Sequence, residues 1–195
     1  TISVAGIGDA YGVELLYRLN INNISGWIGY AFSNIVRQVD FNSDNEIWKD
    51  KEIYTAKYNK PHSFISVLNY KINEKYDFGI SAVYESGQTY TAVVGKVHQA
   101  GYQNYGSLEK PYNYFGNIFG KKNGSRYPDY CRLDLNFSKQ TRIFGLDGKL
   151  KFQIINILNY YNVLLYNWDH NASPSRVEAY SMFPRVFTFG WEFNI

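Results

Sequence analysis

The sequence predicts an all-β protein, and more specifically the wall of a transmembrane antiparallel β-barrel. In its clearest segment, 187–195, large apolar residues at odd positions alternate with small or polar residues at even positions. A repeat of two residues indicates an extended strand with one apolar face and one polar face. In a membrane barrel the apolar face meets lipid and the polar face lines a lumen. The same alternation recurs along the chain, and the connections between its strands alternate between short and long.

The composition narrows the class of protein. Aromatic residues make up 18% of the 195 residues, with 19 Tyr and 13 Phe. The mean hydropathy is −0.36, and no segment approaches the ~18 apolar residues that a membrane-spanning helix needs. A barrel strand avoids that requirement, because its lipid-facing residues alternate with lumen-facing residues. The net charge of +3 is too small to indicate a nucleic-acid partner, and the single Cys131 cannot form an internal disulfide.

Seven segments carry the alternation and are predicted to be strands. In chain order they are 11–20, 27–38, 64–72, 78–84, 130–138, 149–158 and 187–195. The third is less regular than the others, because Ile65 and Val67 lie on its polar face. The sixth is interrupted by asparagines, and we expect it to continue through 163–166 beyond a bulge.

The connections between these strands are sorted by length. The short ones are Asn22-Asn23, a turn at 73–75 and a turn at 146–148. The long ones run over about 40–60, 92–126 and 169–184, and the second of these is predicted to be irregular throughout. Short turns at one end and long loops at the other are typical of outer-membrane barrels, in which the short turns are periplasmic. The C-terminus is therefore predicted to be periplasmic.

Residues 1–195 are predicted to be one segment of a larger barrel domain. Seven strands leave two open edges, which a membrane does not tolerate, and bacterial single-chain barrels have an even number of strands. The chain has no initiator Met and no signal peptide at Thr1. Either processing removed one, or the chain is the C-terminal part of a longer protein.

Six short motifs occur in order along nearly the whole chain. They are 10–15 (AYGVEL), 26–33 (GWIGYAFS), 58–62 (YNKPH), 86–91 (SGQTYT), 127–134 (YPDYCRLD) and 156–162 (NILNYYN). Together they resemble the C-terminal third of TonB-dependent outer-membrane receptors, especially those of Bacteroidetes-type bacteria. One departure is Ile195, where such barrels usually end in Phe.

The resemblance implies a barrel of about 22 strands that an N-terminal domain plugs. Such a protein imports a scarce nutrient, either a glycan, a metal chelate or a peptide, with energy passed from TonB. The implied partners are the rest of the barrel, the plug domain, the TonB complex through the N-terminal part, and outer-membrane lipid; a surface lipoprotein is left open. Neither a plug nor a TonB box is visible here, so we expect no energised transport by this segment alone.

Aromatic residues and one histidine in the predicted extracellular loops are the candidate ligand-binding residues. They are Trp48, Tyr102, Tyr105, Tyr112, Tyr114, Trp168 and His170. Aromatic faces stack on sugars and other flat surfaces, while the polar tips of Tyr and Trp form hydrogen bonds. The alternative is a place in the aromatic girdle or packing within folded loops. That alternative is favoured for Trp168, which lies close to a strand end.

The other candidate residues are assigned by strand face. Charged residues on the polar face are predicted to line the lumen and contact the plug: Glu14, Arg18, Arg132, Asp134, Lys151 and Glu192. Aromatic residues on the apolar face are predicted to contact lipid or form the girdles: Tyr11, Tyr17, Phe137, Phe187, Phe189, Trp191 and Phe193. Trp191 and Phe193 are placed near the periplasmic girdle.

Three further motifs lack the pattern of a site. Gly116–Lys122 is one residue short of a phosphate loop, and no Ser or Thr follows the lysine. Residues 40–51 begin like a calcium loop, but Asn45 replaces the glycine and Lys51 replaces the final Glu. The histidines have no metal-ligand spacing. We therefore predict no catalytic residue, no metal site and no cofactor.

Two other functions are compatible with the sequence. One is a soluble β-sandwich module that binds carbohydrate, and the other is a smaller, passive outer-membrane barrel. Solubility without detergent would favour the first. A plug domain and a TonB box upstream of Thr1 would exclude the second.

Overall fold

The computed structural model describes residues 5–40, 51–101, 112–169 and 176–193, and the regular structure within them consists of strands. These are β1 (Ala5–Ile21), β2 (Ile24–Asp40), β3 (Lys51–Thr55), β4 (His62–Lys71), β5 (Tyr76–Glu85), β6 (Thr89–Tyr90), β7 (Val93–Gly101), β8 (Tyr112–Phe119), β9 (Ser125–Arg126), β10 (Tyr130–Ile143), β11 (Leu146–Ile155), β12 (Val163–Asp169), β13 (Arg176–Ser181) and β14 (Val186–Phe193). Within these ranges there is no helix long and apolar enough to cross a membrane.

One large sheet organises the molecule. Its strand order is β1-β2-β4-β5-β10-β11-β14, with β3 paired to β2 beside this path. Every neighbouring pair is antiparallel, so the predicted all-β, antiparallel meander of seven strands is confirmed. β1 and β14 are the two outer strands of this path. The sheet is therefore open within the described residues, and no closed barrel is formed.

Short turns join the strands at one end of the sheet, as predicted. Asn22 adopts a positive φ of 48° between β1 and β2. The turn between β10 and β11 lies at Phe144 and Gly145, which have φ values of 53° and 80°. Positive φ at both central residues is the geometry of a tight hairpin turn. The predicted turn at 146–148 was therefore wrong, because those residues already pair with β10.

The long connections contain more regular structure than the sequence predicted. Within 92–126, β7 and β8 form a hairpin, so the prediction of an irregular segment was wrong. The sixth strand ends at Ile155 and does not continue through 163–166, because Asn156 and Asn159 adopt positive φ and redirect the chain. β12 instead pairs with β13 in a separate hairpin.

The register separates the sheet into two chemically different faces. Residues opposite each other in an antiparallel ladder project from the same side of the sheet. Phe137 lies opposite Phe78 and Phe152, and Phe152 lies opposite Phe189. We call this side the apolar face. The side that carries Ser138 and its partners on β5 and β11 is the polar face.

Burial in this structure is the reverse of that in a soluble domain. Among the described residues, Ala56 is the one buried hydrophobic residue, whereas Asn59, Thr89, Asp134, Asn156 and Asn162 are buried. On the apolar face, Leu15 is 64% exposed and Phe189 is 73% exposed. Burial of one large apolar side chain stabilises a fold by about 1.5–3 kcal/mol. The described part of the chain thus leaves its main apolar surface uncovered.

Candidate functional site

The end of the sheet opposite the short turns is built from four interlocked segments. We call 56–62, 86–91, 123–129 and 156–162 the rim; each includes part of a long connection. The Arg126 guanidinium donates through Nη1 to the carbonyl oxygens of Asn59 at 2.8 Å and Gly87 at 3.0 Å. The Thr89 hydroxyl donates to the Ala56 carbonyl at 2.7 Å. Three segments that are distant in sequence are thereby held together.

Asp129 joins the second and third segments of the rim. Its carboxylate accepts hydrogen bonds from the Tyr84 hydroxyl at 2.7 Å and from the Gly87 backbone N–H at 3.0 Å. The Tyr84 hydrogen bond and then the Gly87 N–H lower the pKa of Asp129 below its ordinary value of 3.8. Both donors stabilise the charged form of the carboxylate.

We expect the rim to loosen in acid. The folded-state pKa of Asp129 is lower than its ordinary value. The stabilisation of the folded state by the ionised carboxylate is therefore fully present above pH 3.8, and it is lost as the pH falls through the lowered pKa. The Gly87 amide resonance, followed by NMR from about pH 7 to about pH 2, should shift as the carboxylate is protonated. Asp129→Asn should abolish that titration. A titration that persists in Asp129→Asn would contradict this role.

Gly87 is required where the second and third segments cross. A Cβ atom at this position would overlap the carbonyl oxygen and carbon of Tyr127, which are backbone atoms that cannot rotate away. Gly87→Ala should therefore lower the free energy of unfolding by about 3 kcal/mol, the upper range for overpacking. Gly190→Ala is the matched control, because nothing lies within 4 Å of its added Cβ. Equal denaturant midpoints for the two variants would refute this account.

Buried asparagines explain why the last motif bends the chain. Asn156 has φ 54°, its backbone N–H donates to Asp134 at 2.9 Å, and its side-chain oxygen accepts from the Tyr160 N–H at 3.0 Å. The Asn162 amide bonds both backbone groups of Cys131, accepting at 2.8 Å and donating at 2.9 Å. An asparagine side chain thus replaces a strand partner beside the start of β10. Short amide side chains suit this task because they mimic backbone groups.

Three tyrosines attach the β12–β13 hairpin to the rim. The Tyr90 and Tyr127 ring centroids are 4.4 Å apart, and the Tyr166 ring lies 5.6 Å from the first and 5.1 Å from the second. Aromatic pairs at these separations contribute beyond simple burial. Tyr166 is therefore a packing residue of the folded loops.

Two adjoining cavities open beside the rim. The larger, about 500 Å³, is lined by residues that include Lys60, Glu85, Tyr127 and Arg132. The smaller, about 360 Å³, shares Arg132 with it and is mainly apolar, with Ile155 in its lining. Lys60 pairs with Glu85 at 2.5 Å, and the Arg132 Nε lies 3.1 Å from Asp134. The charged and apolar lining of these two cavities suits non-covalent binding of a ligand. In the described ranges, no three His, Cys, Asp or Glu residues lie close enough together to hold a metal ion.

All six charged candidates for the lumen lie on the polar face. Arg132 and Asp134 form an ion pair, and Lys151 pairs with Glu192 at 2.5 Å. The register places Glu14 and Arg18 on the same side, but distant from those pairs, on β1. The structure thus brings four of the six candidates together in two pairs.

All seven aromatic candidates for lipid contact lie on the apolar face. They are Tyr11, Tyr17, Phe137, Phe187, Phe189, Trp191 and Phe193. Phe187 stacks beside Phe152 with centroids 6.5 Å apart, and Trp191 contacts Phe193 at 5.2 Å. Aromatic side chains of β11 and β14 therefore contact each other on the apolar face.

The candidate ligand-binding residues that the structure describes lie in two separate hairpins. Trp48, Tyr102, Tyr105 and His170 lie outside the described residues. Tyr112 and Tyr114 belong to β8, so the prediction of an irregular segment around them was wrong, whereas Trp168 lies near the end of β12, as expected of a residue close to a strand end. β8 and β12 lie in two separate hairpins.

Several residues of the rim, and Glu85 beside it at the end of β5, were not predicted. Lys60, Glu85, Arg126 and Asp129 are ordinary polar residues in sequence, with no spacing that indicates a shared site. These residues do, however, lie inside or beside the short motifs at 58–62, 86–91 and 127–134, and this position is the signal that the sequence contains. The motifs mark where the segments touch.

Comparison of the chain with protein-family models, with curated proteins and with solved structures gave no match.

Proposed function

We propose that this chain is a segment of the wall of an outer-membrane β-barrel, and that the barrel belongs to a TonB-dependent importer. The apolar face contacts the acyl chains of the membrane, and the polar face lines the lumen. The short turns are periplasmic, and the rim lies at the extracellular end. The chain contributes no catalysis and holds no cofactor.

The observation that carries this proposal is the exposed apolar face. Seven consecutive antiparallel strands present large apolar side chains on one side, with polar and paired charged side chains on the other. In water such a surface would be an aggregation hazard, because contiguous apolar patches on soluble monomers are small. In a bilayer the same side chains are solvated by lipid.

The open edges of the sheet fit a larger barrel. Unpaired backbone groups of an edge strand cannot be satisfied by hydrocarbon, so a wall of this kind requires further strands. β1 and β14 are the places where such strands would join. The closing of the barrel and the location in the outer membrane are parts of the proposal.

The importer function is supported by the order of the six motifs and by the rim. The cavities near Arg132 open at the end with long connections, where a ligand from outside would arrive first. The nutrient remains a glycan, a metal chelate or a peptide. Plug domain, TonB complex and surface lipoprotein are the proposed partners.

Flotation with lipid vesicles tests the membrane proposal. The purified chain, diluted from detergent into vesicles, should float with the lipid and resist extraction by carbonate. A chain that stays monomeric and soluble without detergent would overturn the proposal. That outcome would support the sandwich module instead, although a sandwich requires a second sheet packed on the first, and the other sheets of the described residues have two strands each.

The coding sequence upstream of Thr1 separates an importer from a passive barrel. We expect a plug domain and a TonB box there. An upstream region that encodes only further strands would contradict the importer and favour a porin-like channel.

A further inference from the structure

A tight turn between β8 and β9 presents two adjacent lysines. The Gly124 N–H donates to the Lys121 carbonyl at 2.9 Å, and Asn123 adopts a φ of 50°. A Cβ at Gly124 would lie 2.9 Å from the Lys121 Cβ. The sequence of this turn, GKKNG, therefore has the residues that its geometry requires, because Asn and Gly tolerate such conformations.

The turn is anchored to two other parts of the rim end. The Asn123 backbone N–H donates to the Thr91 hydroxyl at 3.0 Å, and its side-chain amide donates to the Thr55 carbonyl at 2.8 Å. These bonds connect the turn to β3 and to the segment after β6. The lysines are thus carried on a fixed backbone.

A cavity of about 390 Å³ lies against this turn, and its charged lining is entirely basic. Lys121, Lys122 and Arg126 line it together with Tyr54 and Thr89, and no Asp or Glu is among the described lining residues. The Lys122 Nζ lies 3.9 Å from the centre of the Tyr54 ring. Within the described ranges, none of the three cations has a carboxylate within ion-pair distance.

The fixed groups of the cavity limit what it can bind. Arg126 is oriented by its two bonds to backbone carbonyls, and Lys122 is oriented by the Tyr54 ring. Three like charges around one concavity repel each other, and a concave surface focuses their field on an anion inside it. Lys and Arg are the usual partners of phosphate oxygens.

We propose that this cavity binds a phosphate group through Lys121, Lys122 and Arg126. The site differs from the phosphate loop that the sequence motif failed to match, because it uses side-chain charges on the turn between β8 and β9 instead of a helix N-terminus. It lies apart from the cavities near Arg132, with which it shares no lining residue. The inference does not depend on the importer function.

Titration with inorganic phosphate tests the site. The purified chain in micelles of an uncharged detergent is titrated by isothermal calorimetry, beside a double variant, Lys121→Gln with Lys122→Gln. We expect the double variant to bind about tenfold more weakly. Lys139→Gln is the matched control, because Lys139 also lies over a tyrosine, with Nζ 5.6 Å from the Tyr76 ring centre, near the short-turn end. We expect its affinity to be unchanged.

Two results would overturn the proposal. One is the absence of phosphate binding by the unaltered chain, and the other is equal weakening in the double variant and in Lys139→Gln. A variant in which both lysines become arginine guards against loss of fold, because it keeps the charge and should retain binding.

Two further probes identify the source of the phosphate. Vesicles of phosphatidylcholine with phosphatidic acid present the group on a lipid, and glucose 6-phosphate presents it on a free molecule. Lysine-dependent binding to the vesicles alone assigns a lipid headgroup, and lysine-dependent binding to the sugar phosphate assigns a soluble ligand. Binding of either probe that persists in the double variant counts against the site.

Discussion

An arginine in place of Phe152 on the apolar face should strongly destabilise the membrane-inserted chain. Phe152 lies in β11, opposite Phe137 on one side and Phe189 on the other. If this face contacts lipid, Phe152→Arg places a charge in hydrocarbon, which costs about 2–4 kcal/mol near the bilayer midplane. The free energy of unfolding, measured by urea titration of the chain in vesicles, should fall by that amount.

The adjacent residue provides the matched control for this substitution. Gln153 directly follows Phe152 on β11 but projects from the polar face, opposite Asn136 and Thr188. Gln153→Arg adds the same side chain at nearly the same depth, and it should cost little because the lumen side is wet. Similar losses for the two variants would show that the two faces do not differ in environment.

Removal of the Asp134 carboxylate should have the second large effect. Asp134 is 4% exposed. Its carboxylate accepts from the Asn156 N–H at 2.9 Å and lies 3.1 Å from the Arg132 Nε. Asp134→Ala leaves the buried Asn156 N–H without its acceptor, and it removes the carboxylate that forms the ion pair with the partly exposed Arg132. A buried donor left without an acceptor costs about 1–3 kcal/mol, so with the lost ion pair we expect a loss of about 3 kcal/mol, measured by urea denaturation.

A comparison with the exposed Arg142–Asp147 pair shows that the expected loss of stability in Asp134→Ala depends on the burial of Asp134. The two hydrogen bonds of the exposed pair are both 2.7 Å, so its geometry is better than that of the Arg132 pair. Both side chains are about two-thirds exposed, however, and water and salt screen such a pair. Asp147→Ala should therefore cost much less than Asp134→Ala. The reverse order would contradict the network around Asp134.

The strands of the large sheet were predictable because side-chain alternation is a local property. Cys131, Leu133, Leu135 and Phe137 share a face by their spacing alone, and the structure keeps them on one side of β10. The pairs β1–β2, β4–β5 and β10–β11 followed from the short connections, because two strands joined by a tight turn pair with each other. Closure of a barrel could not be tested in this way, since it depends on the partners of β1 and β14.

The loop structure and the rim could not be predicted for a physical reason. The bond from Arg126 to the Asn59 carbonyl spans 67 residues, and no periodicity encodes such a contact. The β7–β8 hairpin was missed because Gly95, Gly101 and Gly116 interrupt the side-chain alternation of its two strands. The bend at Asn156 depends on a buried carboxylate from another strand, which the sequence of the motif does not contain.

If one face of β14 contacts lipid and the other contacts water, spin labels along this strand should alternate between the two environments. Single cysteines are placed at 187–193 in a Cys131→Ser background, labelled, and measured in vesicles by electron paramagnetic resonance. We expect labels at the positions of Phe187, Phe189, Trp191 and Phe193 to collide with oxygen dissolved in lipid, and labels at 188, 190 and 192 to collide with a water-soluble nickel chelate. Equal access of the nickel chelate to odd and even positions would rule out a lipid-facing side of β14.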